Sequence, residues 1–290
     1  MPYMFLASSV ICVALASILG AAFNKKNTDK RSPTTLYNLV YCIAAFIGWA
    51  VLYATDPSFD IAVLPYSLGF GLCYALCNIG LINALRTGPV SLTSLLLQLS
   101  LIGTTIWGFF FWETKFSILT GIGLALVVIA LWLCLYTKSN KNQRNKISLK
   151  WLIFAAMSFA GNAGCAIIQR TQQQQFENKH GNMLMLFALA FSTVFCLIHY
   201  LVCDKSDTKK ILKSSSVFPI VSGLANFVSN LCIILLASTT LSPGIIYPVL
   251  AVGSLSLTSL FSLVIFKEKL HPMQWIGMAV GTVAVVLLSI

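Results

Sequence analysis

The sequence predicts an all-α, polytopic membrane protein: ten transmembrane helices arranged as a five-plus-five inverted repeat. Three observations lead there. Hydrophobic residues make up 58% of the 290 and charged residues only 9%, against roughly 25% charged in a soluble domain that must face water. The apolar residues fall into runs of about the 20 residues that cross a bilayer as a helix. The basic residues alternate between connectors, rich then poor, as the chain passes from run to run. With ten runs and short connectors, no length remains for a soluble domain.

The spans read, in order, Met1–Phe23, Thr34–Ala54, Ala62–Leu85, Val90–Trp112 and Ile118–Tyr136, then Leu149–Gln169, Asn182–Val202, Val217–Ala237, Pro243–Phe266 and Pro272–Ile290. The first has no basic segment ahead of its apolar run and is full length, so it reads as a retained helix and not a cleaved signal. Asp56-Pro57 closes the second span. Arg86-Thr87-Gly88-Pro89 ends the third and starts the fourth, Ser242-Pro243 precedes the ninth, and His271-Pro272 precedes the tenth. Proline suits a first helical turn and disfavours the helix before it. Runs this long and uniformly apolar suit helices, which satisfy their own backbone in lipid, and not barrel strands.

Sixteen of the nineteen lysines and arginines lie in the connectors after spans 1, 3, 5, 7 and 9; the opposite side holds only Lys115, Arg170 and Lys179. The positive-inside rule places the rich side in the cytoplasm and both termini outside. The net charge of +11 is therefore read as membrane-surface anchoring in contact with lipid, with no nucleic-acid partner. Short loops and few charges point to a bacterial plasma membrane. The nine cysteines show neither CxxC nor zinc spacing and read as small apolar fillers. No metal or cofactor is expected.

The halves repeat at an offset near 150, dividing the chain into residues 1–137, a basic cytoplasmic connector 138–148, and residues 149–290. Pro89 and Pro243 are 154 apart, and Glu113 and Glu268 are 155 apart. Five helices per half is odd, so the second half crosses upside down. That geometry accompanies alternating access around a midplane site.

The string from Asn83 through Pro89 to Leu95 resembles the helix 3–4 junction of the drug/metabolite transporter superfamily. Phe111-Trp112-Glu113 and Phe266-Lys267-Glu268-Lys269-Leu270 resemble its short Gly-Glu-Arg-Leu-Thr-like junctions. The resemblance spans the whole chain in the EamA-like, ten-helix form, and it implies a carrier of small organic solutes. Two departures stand out. Trp112 and Lys267 replace the usual glycine, and many members have cytoplasmic termini.

All eight acids lie at helix ends or in connectors. Lacking a midplane carboxylate, the usual proton or cation handle, the chain reads as a facilitator or exchanger. Glu113 and Glu268 read as caps or partners at short turns. The polar residues at membrane depth are Asn78, Gln98, Asn162, Asn226 and Asn230. Buried amides need partners, so each lines a wet cavity or bonds a neighbouring helix. Tyr74, Tyr247, Tyr41 and Trp107 are candidates for an aromatic wall around an organic solute, with packing or an interface belt as the alternative. Pro248 is expected to loosen the ninth span. Gly277 and Gly281 form GxxxG, a packing or homodimer surface. No HExxH, P-loop or GxSxG supports an enzyme. The expectation is a transporter of a metabolite or amino-acid-like solute. A drug exporter of the same fold and a non-transporting membrane receptor or assembly protein are the alternatives.

Overall fold

The computed structural model describes residues 2–111, 118–135, 148–177, 179–203, 205–237, 243–267 and 272–289. Twelve α-helices and one short 3₁₀ turn, Ile61–Val63, make up its regular structure, and no strand occurs among these residues. They are α1 (Pro2–Lys26), α2 (Pro33–Thr55), α3 (Leu64–Thr87), α4 (Val90–Gln98), α5 (Leu101–Phe111), α6 (Ile118–Leu135), α7 (Leu149–Gln175), α8 (Gly181–Val202), α9 (Thr208–Ser215), α10 (Val217–Ala237), α11 (Pro243–Ile265) and α12 (Pro272–Ser289). Six segments are long and apolar enough to cross a membrane: α1, α2, the 3₁₀ turn with α3, α7, α8 and α10. Exposed apolar stripes at helical spacing, Ile43, Ile47 and Val51 on α2 and Leu68, Leu72 and Leu76 on α3, are faces that lipid would cover. This is a multi-pass membrane protein.

Two differences from the sequence expectation concern helix continuity. Val90–Trp112 is not one helix: it breaks at Leu99-Ser100 into α4 and α5. The break is held by Asn162 of α7, whose Nδ2 donates to Ser100 Oγ at 2.6 Å and lies 3.4 Å from the Leu97 carbonyl. A neighbour's amide thus receives polar groups that the helix ladder releases. In contrast, the backbone of α11 runs through Pro248 without interruption. Pro248 is only the sixth residue of that helix, so the bond its missing N–H costs lies in the helix's first two turns. The 138–148 connector lies outside the described residues except for Ser148, whose Oγ accepts from Trp151 N and caps α7. Helix α9 was not anticipated. Its Lys209, Lys210 and Lys213 are solvent-facing while Ile211 is buried.

The helices pack in crossed pairs: α1 lies on α10 and α11, and α3 lies on α7. α2 meets α8 and α10, α8 meets α2 and α3, and α6 pairs with α12. Close approach needs small residues. A Cβ on Gly161 of α7 would sit 2.5 Å from Cys77 N of α3. Reciprocally, one on Gly80 of α3 would sit 2.5 Å from Ser158 N of α7. Gly281, one half of the GxxxG pair, is filled within the chain by Leu95 of α4 and Ala130 of α6.

The described connectors gather at two ends. At the basic end, Arg86 Nη2 donates to Thr28 O at 3.1 Å and Lys26 Nζ to Ser214 O at 2.6 Å. Asp207 Oδ2 accepts from Arg31 N at 3.0 Å. That backbone N–H, helped by the charges of Lys210 and Lys30, holds the Asp207 carboxyl below its usual value. At the other end His180 meets Ser58 and Tyr53 Oη donates to Ser58 O.

Candidate functional site

Where α2, α3 and α10 meet, the side chains form an aromatic column ending in amides. Tyr37 and Tyr41 of α2 stack at 6.0 Å, Tyr41 and Tyr74 at 6.4 Å, and Tyr74 and Phe70 of α3 at 6.1 Å, with interplanar angles of 16°, 18° and 20°. Tyr37 and Tyr41 are four apart, as are Phe70 and Tyr74, so each pair shares one helix face. The column is buried. Its hydroxyls therefore need partners. Tyr74 Oη donates to Asn226 Oδ1 of α10 at 2.7 Å and lies 3.2 Å from Tyr41 Oη.

Asn226 is half-buried and also receives Asn230 Nδ2, at 3.2 Å from its Oδ1 and 2.8 Å from its carbonyl. Asn78 makes the corresponding bond on α3: its Nδ2 donates to Tyr74 O at 2.8 Å. The structure thus brings Tyr41, Tyr74, Asn226 and Asn230 together, with Asn78 one turn along α3 from Tyr74. The amide oxygen of Asn226 joins a helix of the first half to one of the second. Aromatic faces beside amides and phenols suit a small, neutral solute carrying both C–H faces and hydroxyls.

The other candidates go elsewhere. Gln98 Nε2 donates to Ser254 Oγ of α11 at 3.0 Å, away from the column and between α4 and α11. Asn162 serves the break between α4 and α5, so it is a helix tie and not a member of the amide group. Trp107 is exposed and stacks on Phe111 along its own helix at 4.1 Å, so it is no part of the wall. The side chain of Tyr247 and the residues Glu113 and Glu268 lie outside the described residues.

Sequence reasoning missed Tyr37 and Phe70, although their i, i+4 spacing to Tyr41 and Tyr74 was visible. It also missed Trp151, fully buried, whose Nε1 donates to Thr93 Oγ1 of α4 at 2.9 Å. Cys42 Sγ lies 3.7 Å from Cys196 Sγ and 3.5 Å from Ser192 Oγ. The described cysteines are all free thiols, and among the described residues no cluster of three or more metal-ligating side chains occurs.

The family model for a sugar transport protein matches residues 7–290. The chain belongs to that family. As a member of a transporter family it is a membrane transporter, which agrees with the helices above. No curated protein matches the sequence. One solved structure, described only as the crystal structure of a protein, covers 97% of this chain and 96% of its own. The two superimpose with a TM-score of 0.57 at 14% identity, a likeness of fold alone.

Proposed function

We propose that the protein is a secondary transporter that moves a small, neutral, polyhydroxylated solute of the sugar class by alternating access. The observation that carries the reading is the Tyr74–Asn226 hydrogen bond, set among stacked tyrosines between the two halves. An aromatic face packs against the C–H side of a sugar ring, while amides and phenols exchange hydrogen bonds with its hydroxyls. The sugar transport family membership agrees with this chemistry. It narrows the metabolite or amino-acid-like cargo expected from sequence.

The alternating-access part rests on an inverted repeat of ten spans, with α4 and α5 counted as one broken helix and α9 as a surface helix. Supporting it, Gly71, Tyr74 and Asn78 of α3 correspond to Gly223, Asn226 and Asn230 of α10 at one constant offset of 152. Contacts also exchange under the same mapping: α3 on α7 answers α10 on α1, and α3 on α8 answers α10 on α2. Residues 1–137 and 149–290 would be the rocking halves, the EamA-like arrangement that the junction motifs resemble, in a plasma membrane with the basic connectors inside.

The test is uptake of radiolabelled monosaccharides into proteoliposomes, alongside thermal unfolding of the purified protein with sugars, amino acids, nucleosides and cationic drugs. A ligand of the folded state raises the midpoint by mass action. A saturable monosaccharide flux with a matching thermal shift supports the reading. A shift by another class alone, with no sugar flux, refutes it.

A further inference from the structure

We propose that Gly223 of α10 is a positioning residue for the sugar site. Lacking a side chain, it lets α10 press on the backbone of Tyr41 and so holds the Tyr41 ring against Tyr74. The proposal deepens the sugar-transport reading above and rests on it.

The contact is one of helix backbone with helix backbone. A Cβ on Gly223 would sit 2.4 Å from Tyr41 O, 3.2 Å from Tyr41 C and 2.9 Å from Ala44 Cβ. Ordinary contact begins near 3.4 Å. In a close-packed interior, a side chain here would drive α2 and α10 apart by roughly 1 Å. Asn226 lies three residues on, along the same face of α10. The turn that presents the amide therefore also seats Tyr41. From there the contacts close a ring through three helices. Tyr41 and Tyr74 stack at 6.4 Å with their hydroxyls 3.2 Å apart, and Tyr74 Oη donates to Asn226 Oδ1 at 2.7 Å. The hydroxyl pair is already at the long end for a hydrogen bond, so a shift of that size in α2 breaks it.

The repeat proposed above separates close packing from service to the site. Gly71 of α3 is the counterpart of Gly223, and its Cβ would sit 2.5 Å from Ala188 O and 3.0 Å from Phe191 Cβ of α8. These partners answer those of Gly223 at one offset: Tyr41 and Ala188 are 147 apart, as are Ala44 and Phe191. The same approach is thus made twice. At Gly71 the carbonyl belongs to an alanine, whereas at Gly223 it belongs to a residue of the aromatic column. Gly223 therefore bears on cargo in a way that its counterpart does not.

The experiment measures uptake of radiolabelled monosaccharides into proteoliposomes by Gly223→Ala, Tyr41→Ala and the double variant. Gly223→Ala should raise KM several-fold, because the Tyr41 ring is displaced from the cargo. A packing loss alone would lower the maximal rate through lost protein and leave KM as it was. In the Tyr41→Ala background, Gly223→Ala should raise KM no further. An unchanged KM, or the same rise in both backgrounds, overturns the proposal. If Gly223→Ala does not fold, Ala44→Gly is added. It removes the Cβ that the new methyl meets at 2.9 Å and leaves the contact with Tyr41 O, and the same comparison decides.

A second readout needs no flux. In protein labelled with 3-fluorotyrosine, the Tyr41 fluorine resonance is identified by its loss in Tyr41→Phe. It should shift further in Gly223→Ala than in Gly71→Ala, the matched clash. A shift no larger than that of Gly71→Ala overturns the positioning role. The larger shift in a protein without monosaccharide flux fails the sugar reading and leaves the positioning of Tyr41 standing.

Discussion

Gly161→Ala tests whether the close contact of α3 with α7 organises the fold. The added Cβ would lie 2.5 Å from Cys77 N and 2.6 Å from Cys73 O. Ordinary contact begins near 3.4 Å, so α7 must retreat from α3 by roughly 0.9 Å, and a gap of that order forfeits about a quarter to a half of each contact's dispersion energy. Both clashing atoms are backbone, and a helix cannot yield there as a side chain can. Overpacking of this kind costs about 1–3 kcal/mol, or a fall in melting midpoint of roughly 2–4 °C for each kcal/mol in a domain of this order. Two controls bracket it. Gly48→Ala meets the Phe227 ring at 2.6 Å, which can turn aside, and Gly181→Ala meets nothing within 4 Å. Fluorescence-detected melting in detergent should rank the losses Gly161, then Gly48, then Gly181. If Gly161→Ala melts together with Gly181→Ala, the argument from helix proximity fails.

The remaining predictions concern the site and its supports. Leucine at Asn78, Asn226 or Asn230, one at a time, should abolish monosaccharide uptake while the protein still inserts; full uptake in all three variants refutes the placement. Tyr74→Phe removes one donor from Asn226, a loss of about 0.5–1.5 kcal/mol. Uptake at low sugar should fall about two- to thirteen-fold in kcat/KM by that measure, and an unchanged value shows that the bond is incidental. Thr93→Val strands the fully buried Trp151 Nε1 and should cost about 1–3 kcal/mol in melting stability. Asp207 gives a pH dependence. Its carboxyl is held below its usual value in the folded chain. The pinning of the 27–31 connector is therefore fully present above the unfolded value and is lost as pH falls through the folded one. Pepsin nicking of that connector should rise with acidification relative to Asp207→Ala, which has no side-chain acceptor and so lacks the pin at every pH. Identical profiles would refute the role.

Much of the architecture could be read from the chain because lipid imposes it. Long apolar runs must be helices when every backbone group has to be satisfied internally, and the described residues of the predicted spans are helical, with Val90–Trp112 divided into two helices. The break at Leu99-Ser100 could not be read, since neither residue disfavours a helix by itself. What stabilises it is Asn162, which is more than 60 residues away in sequence and close only after α7 packs on α4 and α5. Pro248 misled for the opposite reason: its position near a helix start, and not its identity, fixes its cost. Helix α9 escaped because a scan for apolar runs passes over eight residues with three lysines.

The site was legible in part, and the division has a physical basis. Amides at membrane depth are rare enough that each demands a partner, which is why Asn78, Asn226 and Asn230 could be singled out. The sequence could not say which partner each takes. Asn226 reaches across to Tyr74, whereas Asn162 and Gln98 are spent on a helix break and a helix contact. Serines carried still less signal, because a lone serine in an apolar helix usually bonds its own preceding turn and is unremarked. Ser262 and Ser254 do bond their own turns. Their second role emerges only when α11 is laid antiparallel to α4, and polar groups spaced along both helices come into register. Each of these two serines therefore serves two bonds at once, one within its own turn and one across to α4, and only the packed pair of helices shows the second.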